Sequence, residues 1–167
     1  MKSQGTPFKG VLYAGLMVRD EHYWVLEFNA RFGDPETQAL LPRMEGDLIP
    51  WLMASAQGKL NTLPPNVPFV DQHACFVVTS SPGYPGTPET GSLIEGLKNW
   101  THSPLVLGFV SGVQFQSSPE VQYLTSAGRV LGSLGLGKTA EEARVLSYRN
   151  LETIQFPQMH WRKDIGL

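Results

Sequence analysis

The sequence predicts an α+β fold in two parts, a strand-rich opening and a small mixed-β region closed by a helix. Three observations predict it. Residues 11–18 (VLYAGLMV), 23–28 (YWVLEF) and 74–79 (ACFVVT) are apolar runs of strand length. Residues 139–154 carry helical spacing behind a start signal. Between the two parts, residues 59–68 (KLNTLPPNVP) hold three prolines and no periodicity, as a linker would.

The run 11–18 reads as a buried strand, and Arg19-Asp20-Glu21-His22 as a polar turn into a second strand at 23–28, so the pair forms a hairpin. A loop follows through Gly33-Asp34-Pro35. Thr37 to Met44 is a short helix compromised by Pro42, which lacks the amide proton a helix needs. Asp47 to Gln57 is a firmer helix, with an acidic residue at its start and Gly58 just past its end. Beyond the linker, 74–79 is a strand and 80–91 a turn-rich loop. Residues 105–115, 121–124 and 129–136 are further strands. In the last helix Thr139 and Glu142 have capping-box spacing. Ala140, Ala143, Ser147, Leu151 and Ile154 share one face of it.

Composition narrows the function classes. Among 167 residues, 41% are hydrophobic and only 17% charged, against roughly 25% in typical proteins, so the chain is not a disordered one. Thirteen Lys+Arg against fifteen Asp+Glu give a net charge of −2, which disfavours a nucleic-acid coat. Seventeen glycines and thirteen prolines imply frequent turns. The single cysteine, Cys75, permits no internal disulfide and fits a reducing compartment. There is no basic-then-apolar leader and no apolar run of membrane-spanning length. The expectation is a soluble cytoplasmic protein with no membrane partner.

The second strand carries the chemistry. Side chains alternate across a strand. Trp24, Leu26, Phe28, Ala30 and Phe32 then form one apolar face, while Tyr23, Val25, Glu27, Asn29 and Arg31 form the other. Glu27 and Asn29 offer two hard oxygen ligands within reach of one Mg2+, whose shell nucleotide phosphates and water would complete. Arg31 stands where it can meet an anionic oxygen that the metal leaves uncovered. An ordinary half-exposed strand with a polar outer face would show the same spacing.

Residues 27–38 read Glu-Phe-Asn-Ala-Arg-Phe-Gly-Asp-Pro-Glu-Thr-Gln. This segment resembles the signature of the phosphoribosylamine–glycine ligase (glycinamide ribonucleotide synthetase) family, within the ATP-grasp superfamily. The match is most specific from Arg31 to Gln38. The run 10–17 (GVLYAGLM) is similar to the family's preceding strand. Gly83-Tyr84-Pro85-Gly86, Gly128-Arg129-Val130-Leu131 and Arg162-Lys163-Asp164-Ile165-Gly166 resemble landmarks of its C-terminal domain, in the family's order. The likeness spans essentially the whole chain and is weakest over 88–120.

The resemblance implies that residues 1–60 are the C-terminal part of an ATP-grasp domain and 61–68 a linker. Residues 69–167 would be a small mixed-β C-terminal domain of hybrid-motif form, related to the last domain of biotin carboxylase. It implies an enzyme of purine biosynthesis that joins glycine to 5-phosphoribosylamine with ATP, by way of a glycyl phosphate. Glu27 and Asn29 match the family's ligands for Mg2+ or Mn2+. Arg31 matches an arginine beside the acyl phosphate. Asp34 and Glu36 either orient a substrate amine or cap the helix at 37. The neighbourhood Tyr13-Ala14-Gly15-Leu16 offers no further carboxylate. The N-terminal portion of the ligase is missing, so the chain is expected to be a fragment or split gene product, inactive alone. The alternative is a non-catalytic binding or interaction module derived from the same domain.

Two other signals compete. Residues 132–139 (GSLGLGKT) match the phosphate-binding pattern GxxxxGK[ST]. Yet 28 residues follow Thr139, too few for the parallel sheet this pattern serves, so strand and helix cap are the expected reading. His73 with Cys75 could suggest a thiol nucleophile, but Cys75 beside Phe76 and Val77 is expected to pack in a strand.

Overall fold

The computed structural model describes residues 1–100 and 102–167 as two compact units, 1–70 and 71–167. Among the described residues no helix is long and apolar enough to cross a membrane.

The first unit opens with an antiparallel hairpin, β1 (Tyr13–Arg19) and β2 (His22–Asn29). The chain reverses at Asp20-Glu21, where Asp20 takes φ 55°, a left-handed conformation that Asp tolerates better than most residues. Gly15 pairs Glu27 while Leu16 pairs Val25, so Leu26 is an extra residue in a β-bulge. The uninterrupted alternation expected along 23–32 is therefore broken at Leu26. The burial expected of the first strand also fails, and the second strand is exposed as well. In β1 only Gly15 is buried, and Trp24, Leu26 and Phe28 are 52, 63 and 62% exposed. The reason is that nothing within the first unit covers either face.

After the hairpin, α1 (Glu36–Leu40) gives way at Pro42 to a 3-10 turn, Leu41–Arg43, as the missing proline amide requires. The next helix, α2 (Ile49–Gln57), starts where the Asp47 carboxylate accepts from the Ile49 amide at 2.8 Å. It stops at Gly58 (φ 73°), whose amide and that of Lys59 close onto the last turn. The proline-rich stretch then carries a short 3-10 turn, Leu60–Thr62. Its end runs back along 43–45, with the Glu45 amide donating to the Pro68 carbonyl and the Val70 amide to that of Arg43.

The second unit holds a three-stranded antiparallel sheet of β3 (His73–Ser80), β4 (Val106–Val110) and β7 (Arg129–Gly137), with β7 in the centre. The strand expected over 105–115 is two strands, because β4 ends at Val110 and β5 (Val113–Gln116) pairs instead with β6 (Gln122–Thr125). Gly112 sits at the break, where a Cβ would lie 2.6 Å from both the Ala127 Cβ and the Arg129 carbonyl.

Helix α3 (Ala140–Leu151) closes the unit. The Thr139 hydroxyl accepts from the Glu142 amide at 3.1 Å, and the Glu142 carboxylate accepts from the Lys138 amide at 2.8 Å. The capping box thus forms with its return bond one residue early. The helix ends at Leu151, short of the expected 154. There the Asn150 carbonyl accepts from the Thr153 hydroxyl and the Trp100 indole, at 2.7 and 3.2 Å. Ile154 is still buried, in the turn that follows, whereas Ala140 is exposed.

Packing against β7 uses its glycines. A Cβ on Gly135 would collide with the Ala143 carbonyl of α3, and one on Gly132 with the Phe76 ring of β3. Ser147 donates to the Ser133 carbonyl at 2.8 Å, and the Asn150 amide donates to the Ser133 hydroxyl at 3.1 Å. Val77, Val130, Leu131, Ala143 and Leu151 make the centre of the core. Each fully buried Val or Leu contributes roughly 1.5–3 kcal/mol. Cys75 joins this cluster, and burial raises its thiol pKa, opposed in smaller part by Arg144. The GSLGLGKT segment is thereby accounted for as the end of β7 and the cap of α3, and Cys75 as a packing residue.

Candidate functional site

The hairpin register decides which side chains meet. Directly opposed residues of an antiparallel pair point to the same face. Tyr13 opposes Asn29 and Gly15 opposes Glu27, so Tyr13, Glu27 and Asn29 share a face. The bulge lies on the far side of Glu27 and leaves this corner regular. Gly15 is small for a reason, since a Cβ there would lie 3.3 Å from the Glu27 Cγ.

On this face the Asn29 side-chain amide donates to Glu27 Oε1 at 2.9 Å. Glu27 is exposed and Asn29 half-buried. The carboxylate and the carboxamide expected to act together are thus adjacent. A cation held by both needs the Asn29 oxygen turned toward Glu27 in place of its nitrogen, a rotation of the terminal amide. Among the described residues no group of three or more His, Cys, Asp or Glu converges on one point. Two hard oxygens at an open face fit Mg2+ or Mn2+ when phosphate oxygens and water supply the rest.

Beyond β2 the chain turns through Arg31-Phe32-Gly33-Asp34. The exposed Arg31 guanidinium donates to the Phe32 carbonyl at 2.8 Å. The Asp34–Pro35 peptide is cis. Gly33 is buried because a Cβ would collide with the Glu36 carboxylate and lie 3.0 Å from the Tyr13 ring. The Thr37 hydroxyl and amide both donate to the Gly33 carbonyl.

Helix α1 starts at Glu36 rather than at 37, with Pro35 as its cap residue and no side-chain capping bond. Instead, Asp34 accepts from the Gln38 side-chain amide at 3.0 Å, and Glu36 accepts from the Tyr13 hydroxyl at 3.1 Å. Each of these two carboxylates thus meets a side chain.

Tyr13 is the residue that sequence reasoning missed. It ties Glu36 to the face that carries Asn29 and Glu27. Its bond to Glu36 raises the phenol pKa above 10.0, with desolvation, the Glu36 charge and the Glu27 charge adding and Arg31 opposing. It therefore stays a neutral donor through the physiological range. The turn at 20–21 alone would set residue 13 opposite residue 28; the bulge at Leu26 moves it opposite Asn29, and that shift has no signal in the sequence.

The comparisons with known proteins agree in direction. The family described as "Phosphoribosylglycinamide synthetase, C domain" matches residues 74–167, and the one described as "Phosphoribosylglycinamide synthetase, ATP-grasp (A) domain" matches residues 1–37. A phosphoribosylamine–glycine ligase from Caldanaerobacter subterraneus subsp. tengcongensis is 42% identical over 166 residues, which is 99% of this chain and 38% of the relative. A bifunctional purine biosynthetic protein from Dictyostelium discoideum is 39% identical over 173 residues, 99% of this chain and 21% of the relative. The crystal structure of the Thermotoga maritima phosphoribosylamine–glycine ligase superposes with a TM-score of 0.76 at 31% identity, over 98% of this chain and 38% of that one.

Proposed function

Because the chain belongs to the phosphoribosylglycinamide synthetase family, we propose that it supplies one side of the active site of a phosphoribosylamine–glycine ligase. The chain spans 38% of the length of the Caldanaerobacter relative. The whole reaction joins glycine to 5-phosphoribosylamine at the expense of ATP. A glycine carboxylate oxygen attacks the γ-phosphorus and ADP leaves. The amine nitrogen then attacks the glycyl carbonyl carbon, phosphate departs, and the amine's proton passes to solvent. In this reading residues 1–60 end the ATP-grasp domain, 61–68 link, and 69–167 form the C-terminal domain.

The observation that carries the reading is the Glu27–Asn29 pair, joined at 2.9 Å on one open face. These two residues would hold Mg2+ or Mn2+. Bound there, the ion would neutralise charge on the nucleotide phosphates and fix their position. The Arg31 guanidinium, now on a loop carbonyl, has the planar donor geometry that suits the anionic oxygens of an acyl phosphate. Glu36, anchored by Tyr13, and Asp34 would orient the substrate amine. The chemistry belongs to small molecules in the cytoplasm, with no nucleic acid or membrane involved.

Fusing the chain behind the part of the Caldanaerobacter ligase that lies outside the aligned 38% gives a testable enzyme. The fusion should form glycinamide ribonucleotide from ATP, glycine and 5-phosphoribosylamine, and the isolated chain should not. Glu27→Gln should lower turnover by about 100-fold or more, the scale of losing one electrostatic contact to a transferring group. Arg31→Ala should depress kcat far more than it raises KM for ATP. An active fusion indifferent to Glu27→Gln would remove the metal-holding role. Product made by the isolated chain would overturn the reading of it as one part of the enzyme.

A further inference from the structure

The Tyr13 ring lies between two glycines. A Cβ on Gly15 would sit 3.7 Å from one edge of the ring, and a Cβ on Gly33 3.0 Å from the other. Neither glycine has a positive φ, so the backbone there does not call for glycine. The neighbours do. Gly15 leaves room for Tyr13 and Glu27, and Gly33 for Tyr13 and Glu36. Gly15 belongs to β1 and Gly33 to the loop after β2, so the ring spans from strand to loop.

The same arrangement fixes the Glu36 carboxylate from two sides. Its Oε1 accepts from the Tyr13 hydroxyl at 3.1 Å, and its Oε2 lies over Gly33, where a Cβ would collide with it. The Gly33 carbonyl is itself tied to the start of α1 by the Thr37 hydroxyl and amide. Asp34 differs. Its partner Gln38 is one helical turn along the same segment, so that bond says nothing of where the segment sits. The Tyr13–Glu36 bond joins residues 23 apart and sets loop against strand.

Tyr13 also opposes Asn29 and shares a face with Glu27. One side chain thus refers Glu36 to the strand that carries the metal-holding pair. Amide-bond formation needs such a reference. The attacking nitrogen must reach a carbonyl carbon whose phosphate the metal has placed, and a misplacement of about 1 Å costs on the order of 100-fold in rate.

We infer that Tyr13 is a positioning residue, holding Glu36 toward a substrate amine at a set offset from Glu27 and Asn29, with Gly15 and Gly33 leaving room for its ring. The inference rests on the ligase reading above. The amine is that of glycine or of 5-phosphoribosylamine, since both present N–H donors that a carboxylate orients.

The test uses the fusion with the unaligned portion of the Caldanaerobacter ligase. Tyr13→Phe keeps the ring and removes the donor. It should raise KM for one amine substrate about ten-fold or more and leave KM for ATP within about two-fold. Which KM moves identifies the amine. In a Glu36→Ala background the same change should add nothing, because Tyr13 acts through Glu36. Gly33→Ala, which displaces the carboxylate, should raise the same KM. Unchanged KM values for both amines, an equal rise for ATP, or additive losses across the double-mutant cycle would overturn the inference and leave the ligase reading standing. An unsubstituted fusion that makes no product would overturn both.

Discussion

β2 and β7 are both apolar strands, eight and nine residues long, with opposite fates. All of β7 after Arg129 is buried, between β3 and β4 and beneath α3. All of β2 before Asn29 is exposed. Composition does not separate them, since β7 carries three glycines and β2 the larger hydrophobic side chains. What separates them is cover. The second unit closes on its own core, and the first leaves this hairpin exposed. An apolar strand reports that it will be buried, not what will bury it.

The largest expected effect sharpens this contrast. Leu134→Ala removes a side chain with 0% exposure and should cost about 2–5 kcal/mol of stability by urea unfolding. Leu26→Ala, 63% exposed, should stay within about 0.5 kcal/mol in the isolated chain. Equal losses would break the comparison. Next, Gly135→Ala drives a Cβ into the Ala143 carbonyl and should cost about 1–3 kcal/mol, checked by the same denaturation curve.

Smaller effects concern single groups. Cys75 is buried and its thiol pKa raised chiefly by that burial, so Ellman's reagent should react with it slowly at neutral pH and at once in denaturant. Fast labelling of the folded chain would show the second unit to be as open as the first. At the exposed corner, Tyr13 should ionise above its ordinary range, and Glu36→Gln should bring it down, read as the ultraviolet difference against Tyr13→Phe. A raised pKa favours the neutral form on folding. Whatever stability the Tyr13–Glu36 bond adds is therefore present below pH 10 and lost as the pH climbs through the raised value. An unshifted phenol would mean the bond is not kept in solution.

Local features were legible in the residues. Asp47, Gly58 and Thr139 mark helix ends because caps are satisfied within a few positions. Pro42 shortens a helix through an equally local cause, its missing amide proton. The corner was partly legible, as spacing by two sets Glu27 beside Asn29 on a regular strand. Tyr13 was not, since its place depends on register with a partner strand. Nor was the bulge at Leu26, which the ladder alone reveals.

By itself, then, the sequence determined the elements, their caps, the family signature over 31–38 and the pairing of Glu27 with Asn29, because each depends on neighbours a few bonds away. Only the tertiary structure decided that 105–115 divides, that Tyr13 holds Glu36, and that one apolar strand is sealed while another lies open. Burial and register are set by distant segments, which an apolar run such as β2 does not specify.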